Sequence, residues 1–102
     1  MKELSPSERE HLLKRVARSI FTGEITNGQA LQKLRKEILQ MSQEEYCKFA
    51  GVSRKTLSDI ELDKGKPTVS ILNRVFKPLG FECSLRPRSG SLAEDMFNTR
   101  YD

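Results

Sequence analysis

The chain has no tryptophan, one histidine (His11) and two cysteines (Cys47 and Cys83), and each shortage removes a class of chemistry. Two thiols and one imidazole cannot supply the four ligands of a structural zinc site at any familiar spacing, so no metal is expected. The two cysteines fall in different predicted elements, and free buried thiols are expected of both in preference to a disulfide. Long apolar runs are missing as well. Nothing approaches the roughly 18 residues of a membrane span, so no membrane partner is expected. The opening "MKELSPSERE" has no apolar core of a secretory signal, which makes a cytoplasmic location the expectation. No acid pair or glycine-rich phosphate loop accompanies His11, which sits on a predicted surface helix, so neither catalysis nor a cofactor is expected.

What is present is charge and a modest apolar content. Of the 102 residues, 36% are hydrophobic and 31% charged, enough for one small core that dimerisation would help to stabilise. The net charge of +4 mildly favours an anionic partner. Its distribution does not carry that argument. Residues 1–41 hold eight basic and five acidic side chains, whereas residues 42–67 hold five of each. The middle segment is neutral, so any anion recognition there must come from placement.

Helix starts are well marked. Ser5-Pro6-Ser7-Glu8 reads as a capping box with proline at the first helical position. Leu12, Leu13, Val16, Ala17, Ile20 and Phe21 then form one apolar stripe, and Thr22-Gly23 stops it. A second helix is expected over residues 27–39, with Leu31, Leu34 and Ile38 inward. A third starts at Ser42, with Glu45 completing another capping box, and runs through Phe49. Ser53 caps a fourth over residues 54–62. After the turn "DKGKP", Thr68 caps a fifth with Val69, Leu72, Val75, Phe76 and Leu79 inward, ending near Lys77 because of Pro78.

In "FECSLRP", Phe81, Cys83 and Leu85 alternate with Glu82, Ser84 and Arg86, the period of a half-buried strand. A lone strand leaves its backbone groups unpaired, so this one is expected to pair across a dimer, with an extended tail packed on the helices as the alternative. The remainder, "RSGSLAEDMFNTRYD", reads as a flexible tail, within which Leu92, Met96 and Phe97 can share one face of a short helix. The organisation expected is therefore an N-terminal helical extension (1–24), a helical domain (25–80), a dimerisation strand (81–87) and a tail (88–102).

The stretch "SQEEYCKFAGVSRKTLSDIE" puts two short helices around a glycine-containing turn, which describes a helix-turn-helix. Such a motif needs a small residue at the helix crossing (Cys47), a residue tolerant of positive φ in the turn (Gly51), and apolar anchors behind the second helix (Val52, Leu57, Ile60). At 100° per residue, Arg54, Lys55, Ser58 and Asp59 then share the outward arc. Arg54 and Lys55 suit guanine O6 and N7, Ser58 a base edge or phosphate, and Asp59 either cytosine N4 or the orientation of a neighbouring cation. Ser53 joins these base-reading residues. Ser42, Gln43, Thr56, Lys64 and Lys66 are the candidate phosphate contacts. For Glu61 the expectation is a structural salt bridge to Arg35 or Lys36.

With these residues in view, "SQEEYCKFAGVSRKTLSDIELDKGKPT" resembles the XRE/Cro-type helix-turn-helix family. The resemblance implies an all-α, five-helix lambda-repressor-like domain over residues 28–80 that binds inverted-repeat operator DNA as a homodimer. Continuing through "LGFECSLRPR", the chain is similar to HipB-type antitoxins. That likeness implies a nucleoid-associated repressor of its own operon and a HipA-like kinase toxin as partner. A stand-alone or phage-type regulator, or a protein-interaction module, is the alternative. Tyr46-Cys47 replaces the family's usual Leu-Ala, Pro78 interrupts its last helix, and the N-terminal helix is additional.

Overall fold

The structure, a computed structural model, describes residues 3–98. Five of its helices start in the same way, with a hydroxyl side chain in extended backbone accepting the N–H three residues on. Ser5 begins α1 (Pro6–Thr22), Thr26 begins α2 (Asn27–Leu34), Ser42 begins α3 (Gln43–Ala50), Ser53 begins α4 (Arg54–Glu61) and Thr68 begins α5 (Val69–Phe76). At α1, α2 and α3 the reciprocal bond from Glu8, Gln29 or Glu45 completes a capping box. The hydroxyl occupies a donor that the helix cannot satisfy internally, so each start is fixed locally.

The helix expected over residues 27–39 divides. After Leu34 it widens into a π-turn, Arg35–Leu39, that closes on Gln40 in the left-handed region (φ 52°). Both Arg35 and Ile38 are buried within it. Pro78 falls in a tighter 3-10 turn, Lys77–Leu79, which follows α5 and closes on Gly80. That geometry avoids the clash a proline causes inside an α-helix.

Leu31, Leu34, Tyr46, Leu57 and Val75 are wholly buried, and Val16 of α1 joins them. The Tyr46 hydroxyl donates to the Val75 carbonyl at 2.6 Å, so α3 and α5 are tied through the core. Burial, and to a lesser extent the charge of Glu61, pushes that phenol well above its ordinary pKa. The start of α2 abuts the end of α4. A Cβ on Gly28 would lie 2.3 Å from the Ile60 carbonyl, so only glycine permits the approach. Asp63, itself at φ 57°, closes the same joint by accepting from the Thr26 hydroxyl (2.6 Å) and the Gly28 N–H (3.1 Å).

Four expectations require correction. Val69 points outward from the first turn of α5 and is 62% exposed. Residues 81–87 form no strand, because no second strand lies alongside among the described residues to make a ladder. Phe81 turns in against Phe76, while Cys83 and Leu85 are exposed, so Cys47 alone is a buried thiol. Where a flexible tail was expected, Gly90–Asn98 forms a helix, α6, packed on α1. Ala93 is fully buried there, Glu94 pairs with Arg18, and Phe97 meets Phe21 edge to face at 5.5 Å. The Arg18 guanidinium also lies 5.0 Å from the Phe97 ring centre. The rest of the expected tail, residues 99–102, lies outside the described residues.

Candidate nucleic-acid interface

The angle between α3 and α4 is set by five residues. Gly51 ends α3 at φ 74°, and its N–H and that of Val52 both return to the Cys47 carbonyl, at 2.9 and 3.1 Å. Cys47 is the small side chain at the crossing; burial pushes its thiol pKa upward. Leu57 and Ile60 anchor α4 from behind. With that face inward, Ser53, Arg54 and Lys55 are exposed and Thr56, Ser58 and Asp59 are half-buried along the outer arc.

The side chains on this arc are not equivalent. Ser53 caps the Thr56 N–H (3.1 Å) and also donates to the Thr56 hydroxyl (2.9 Å), so it shapes the helix start. Lys55 and Asp59, one turn apart, form an ion pair at 3.2 Å. Asp59 thereby holds the Lys55 ammonium along the helix face. Arg54 reaches back to α3, where its Nη2 donates to Gln43 Oε1 at 3.5 Å. Gln43 in turn donates through Nε2 to Glu61 Oε1 at 3.0 Å.

Glu61 is the hidden end of this chain of contacts. Its carboxylate is only 4% exposed and accepts two bonds from the Arg35 guanidinium, at 2.6 and 3.0 Å. Arg35 also donates to the Met41 carbonyl at 2.8 Å. Between the two cations open to Glu61, the structure selects Arg35; Lys36 is exposed. The fork geometry of guanidinium and carboxylate explains the choice, since it satisfies both buried ions at once. The carboxylate is therefore neutralised before any phosphate approaches. No motif in the sequence marked Gln43 as the link between this pair and Arg54, because the link exists only where α3 and α4 cross.

The flanking candidates are distributed around the arc. At the start of α3, the Ser42 N–H and hydroxyl are both engaged by Glu45, while the amides of Gln43 and Glu44 have no intrahelical acceptor. Lys64 and Lys66 are exposed on the turn after α4. Asp63, the acid beside them, is occupied at the Gly28 joint.

Two short helices around a left-handed glycine, with a polar arc exposed on the second, make this a helix-turn-helix DNA-binding domain. The model of the helix-turn-helix family HTH_3 matches residues 31–85, just over half of the chain, and the chain belongs to this XRE-type family of DNA-binding transcription regulators. No curated protein and no solved structure matches it. Both α1 and α6 lie outside the matched residues, and no helix among the described residues is long and apolar enough to cross a membrane.

Proposed function

We propose that the chain is a sequence-specific repressor that lays α4 in the major groove of an inverted-repeat operator as a two-fold dimer. The observation that supports this most is the arc of exposed Arg54 and Lys55 with half-buried Ser58, on a helix whose other side is locked by Leu57 and Ile60. Arg54 and Lys55 read guanine edges, Ser58 a base or phosphate, and Asp59 directs Lys55. Ser42, Gln43, Thr56, Lys64 and Lys66 contact the flanking phosphates and fix the register without reading sequence. The two α4 helices address half-sites about one helical turn apart.

Arg54→Ala combined with Lys55→Ala tests this reading in an operator gel-shift assay. Two base contacts of about 1–3 kcal/mol each are removed, so specific binding is lost while circular dichroism stays unchanged. A normal shift by the double variant would place the reading face elsewhere.

The finer reading is an antitoxin-type repressor of its own operon with a kinase toxin as partner. The appended α1–α6 pair supports it, because Leu92, Met96 and Phe97 are half exposed on α6, which packs on α1. Co-expression with the product of the neighbouring reading frame tests it. A stable complex lost on Leu92→Asp and Met96→Asp supports the partnership, and no complex leaves a stand-alone regulator.

A further inference from the structure

Two helices and the segment after α5 line one recess. Ala17 and Phe21, one turn apart on α1, share a face with Ile20, and Leu72 and Phe76 share one on α5. Phe81 forms a further wall, edge to face with Phe76 at 6.4 Å. The segment is held to α5 by two bonds, from the Phe81 N–H to the Phe76 carbonyl (3.2 Å) and from the Cys83 N–H to Asn73 Oδ1 (2.7 Å). The recess is therefore already formed in the free chain, as small-molecule sites usually are. Its volume is about 240 Å³. A cavity of about 150 Å³ holds a benzene ring, so this one has room for a ring and a short chain. Ile20, Phe21, Leu72 and Phe81 are each only half-buried around it, which leaves apolar area for a guest to cover.

The rim supplies one cation. Arg86 lines the recess, and its guanidinium lies over the end of α1, where a Cβ on Gly23 would be 3.0 Å from Nη1. Among the described residues its one side-chain hydrogen bond goes to the neighbouring Pro87 carbonyl, at 3.5 Å. No carboxylate among them lies within ion-pair distance of it. Glu82 is the single acid of the lining, and it is exposed to water.

We propose that this recess binds a small aryl-alkyl carboxylate, with the ring among Phe21, Leu72 and Phe81 and the carboxylate on Arg86. Aromatic walls favour a flat ring packed against their edges and faces. The guanidinium fork matches the two oxygens of a carboxylate, and it has no acid of its own to release. None of the lining residues belongs to α3 or α4, so the guest uses none of the side chains assigned to DNA.

Isothermal titration calorimetry of the full chain with phenylpropanoate tests the site, with phenylpropanol as the neutral isostere and acetate as the charge without the ring. The acid is expected to bind about fivefold more tightly than the alcohol, the scale of one exposed ion pair, and acetate not to bind. Arg86→Gln removes the preference for the acid and leaves the alcohol unaffected. Glu82→Gln, which removes the one acid of the lining, tightens the acid alone. Ala17→Leu, at an exposed position, fills the recess and weakens both guests. Absence of acid binding, equal binding of acid and alcohol, or guests indifferent to Ala17→Leu would each overturn the proposal. So would a dimer that Ala17→Leu dissociates in sedimentation equilibrium while no guest binds, since a second copy would then fill the recess. The Arg54 and Lys55 double variant binds the acid as the parent does, so failure of the reading face is told apart from failure of this site.

Discussion

Glu61 lies beneath the proposed reading arc, at a depth where a charge needs a partner. Arg35 makes the site tenable, and Gln43 uses the remaining capacity of the same oxygen to hold Arg54. Glu61→Gln keeps the shape and leaves the Arg35 charge buried without its counter-ion. Removing one member of such a pair costs about 3–5 kcal/mol, so the urea midpoint falls sharply; an unchanged midpoint would show that water reaches the pair. At this scale the sequence was partly legible. Arg54, Lys55 and Ser58 face outward because Leu57 and Ile60 face inward, which periodicity alone dictates. The bond from Gln43 to Arg54 was not legible, since it joins residues 11 apart across a helix crossing.

Helix starts were the most legible elements, because a cap needs only its own hydroxyl and the next three residues. Ser42→Ala is expected to cost about 1 kcal/mol in denaturant. It also weakens a pH dependence, although the bond from the residue 42 backbone N–H, its larger source, survives the substitution. Glu45 accepts from the Ser42 backbone and side chain, and its pKa lies below the ordinary glutamate value. A depressed folded-state pKa gives stability that is present above the unfolded value and lost as pH falls through the folded one. The variant should therefore lose less stability than the parent across that acid window, measured by denaturation at successive pH values. Equal losses would show that the Ser42 hydroxyl takes no part in lowering the Glu45 pKa.

Glycines at two element junctions separate backbone conformation from contact. At Gly51 a Cβ meets nothing within 4 Å, so Gly51→Ala bears only the left-handed strain of about 1–2 kcal/mol. At Gly28 a Cβ meets three atoms closer than 3 Å, two of them backbone oxygens of α4. Gly28→Ala must push α2 from α4 and is expected to lower both the urea midpoint and operator affinity by more than Gly51→Ala. The reverse order would show that the joint yields. Elements that depend on distant neighbours escaped the sequence. The strand period of residues 81–87 lacks a ladder within one chain, and α6 is held by residues of α1 such as Arg18, 76 positions from Glu94.

Across the whole molecule, α4 is held by α2 through Gly28, by the π-turn after it through the Arg35–Glu61 pair, and by α3. The appended α6 packs on α1, which in turn packs on α2, so a partner held on α6 need not cover the reading arc. The location of Cys47 has one more consequence. Its thiol lies at the α3–α4 crossing, and only its thiolate reacts, a form that burial disfavours. Cys83 is open to solvent. A thiol reagent should therefore label the chain in two phases, one immediate and one paced by how often the crossing parts. Operator DNA should slow the second phase alone, whereas a single fast phase would mean that the crossing stands open. The residue that replaces the family's usual alanine thus works as a stopwatch, timing how often α4 lets go of its partner helix.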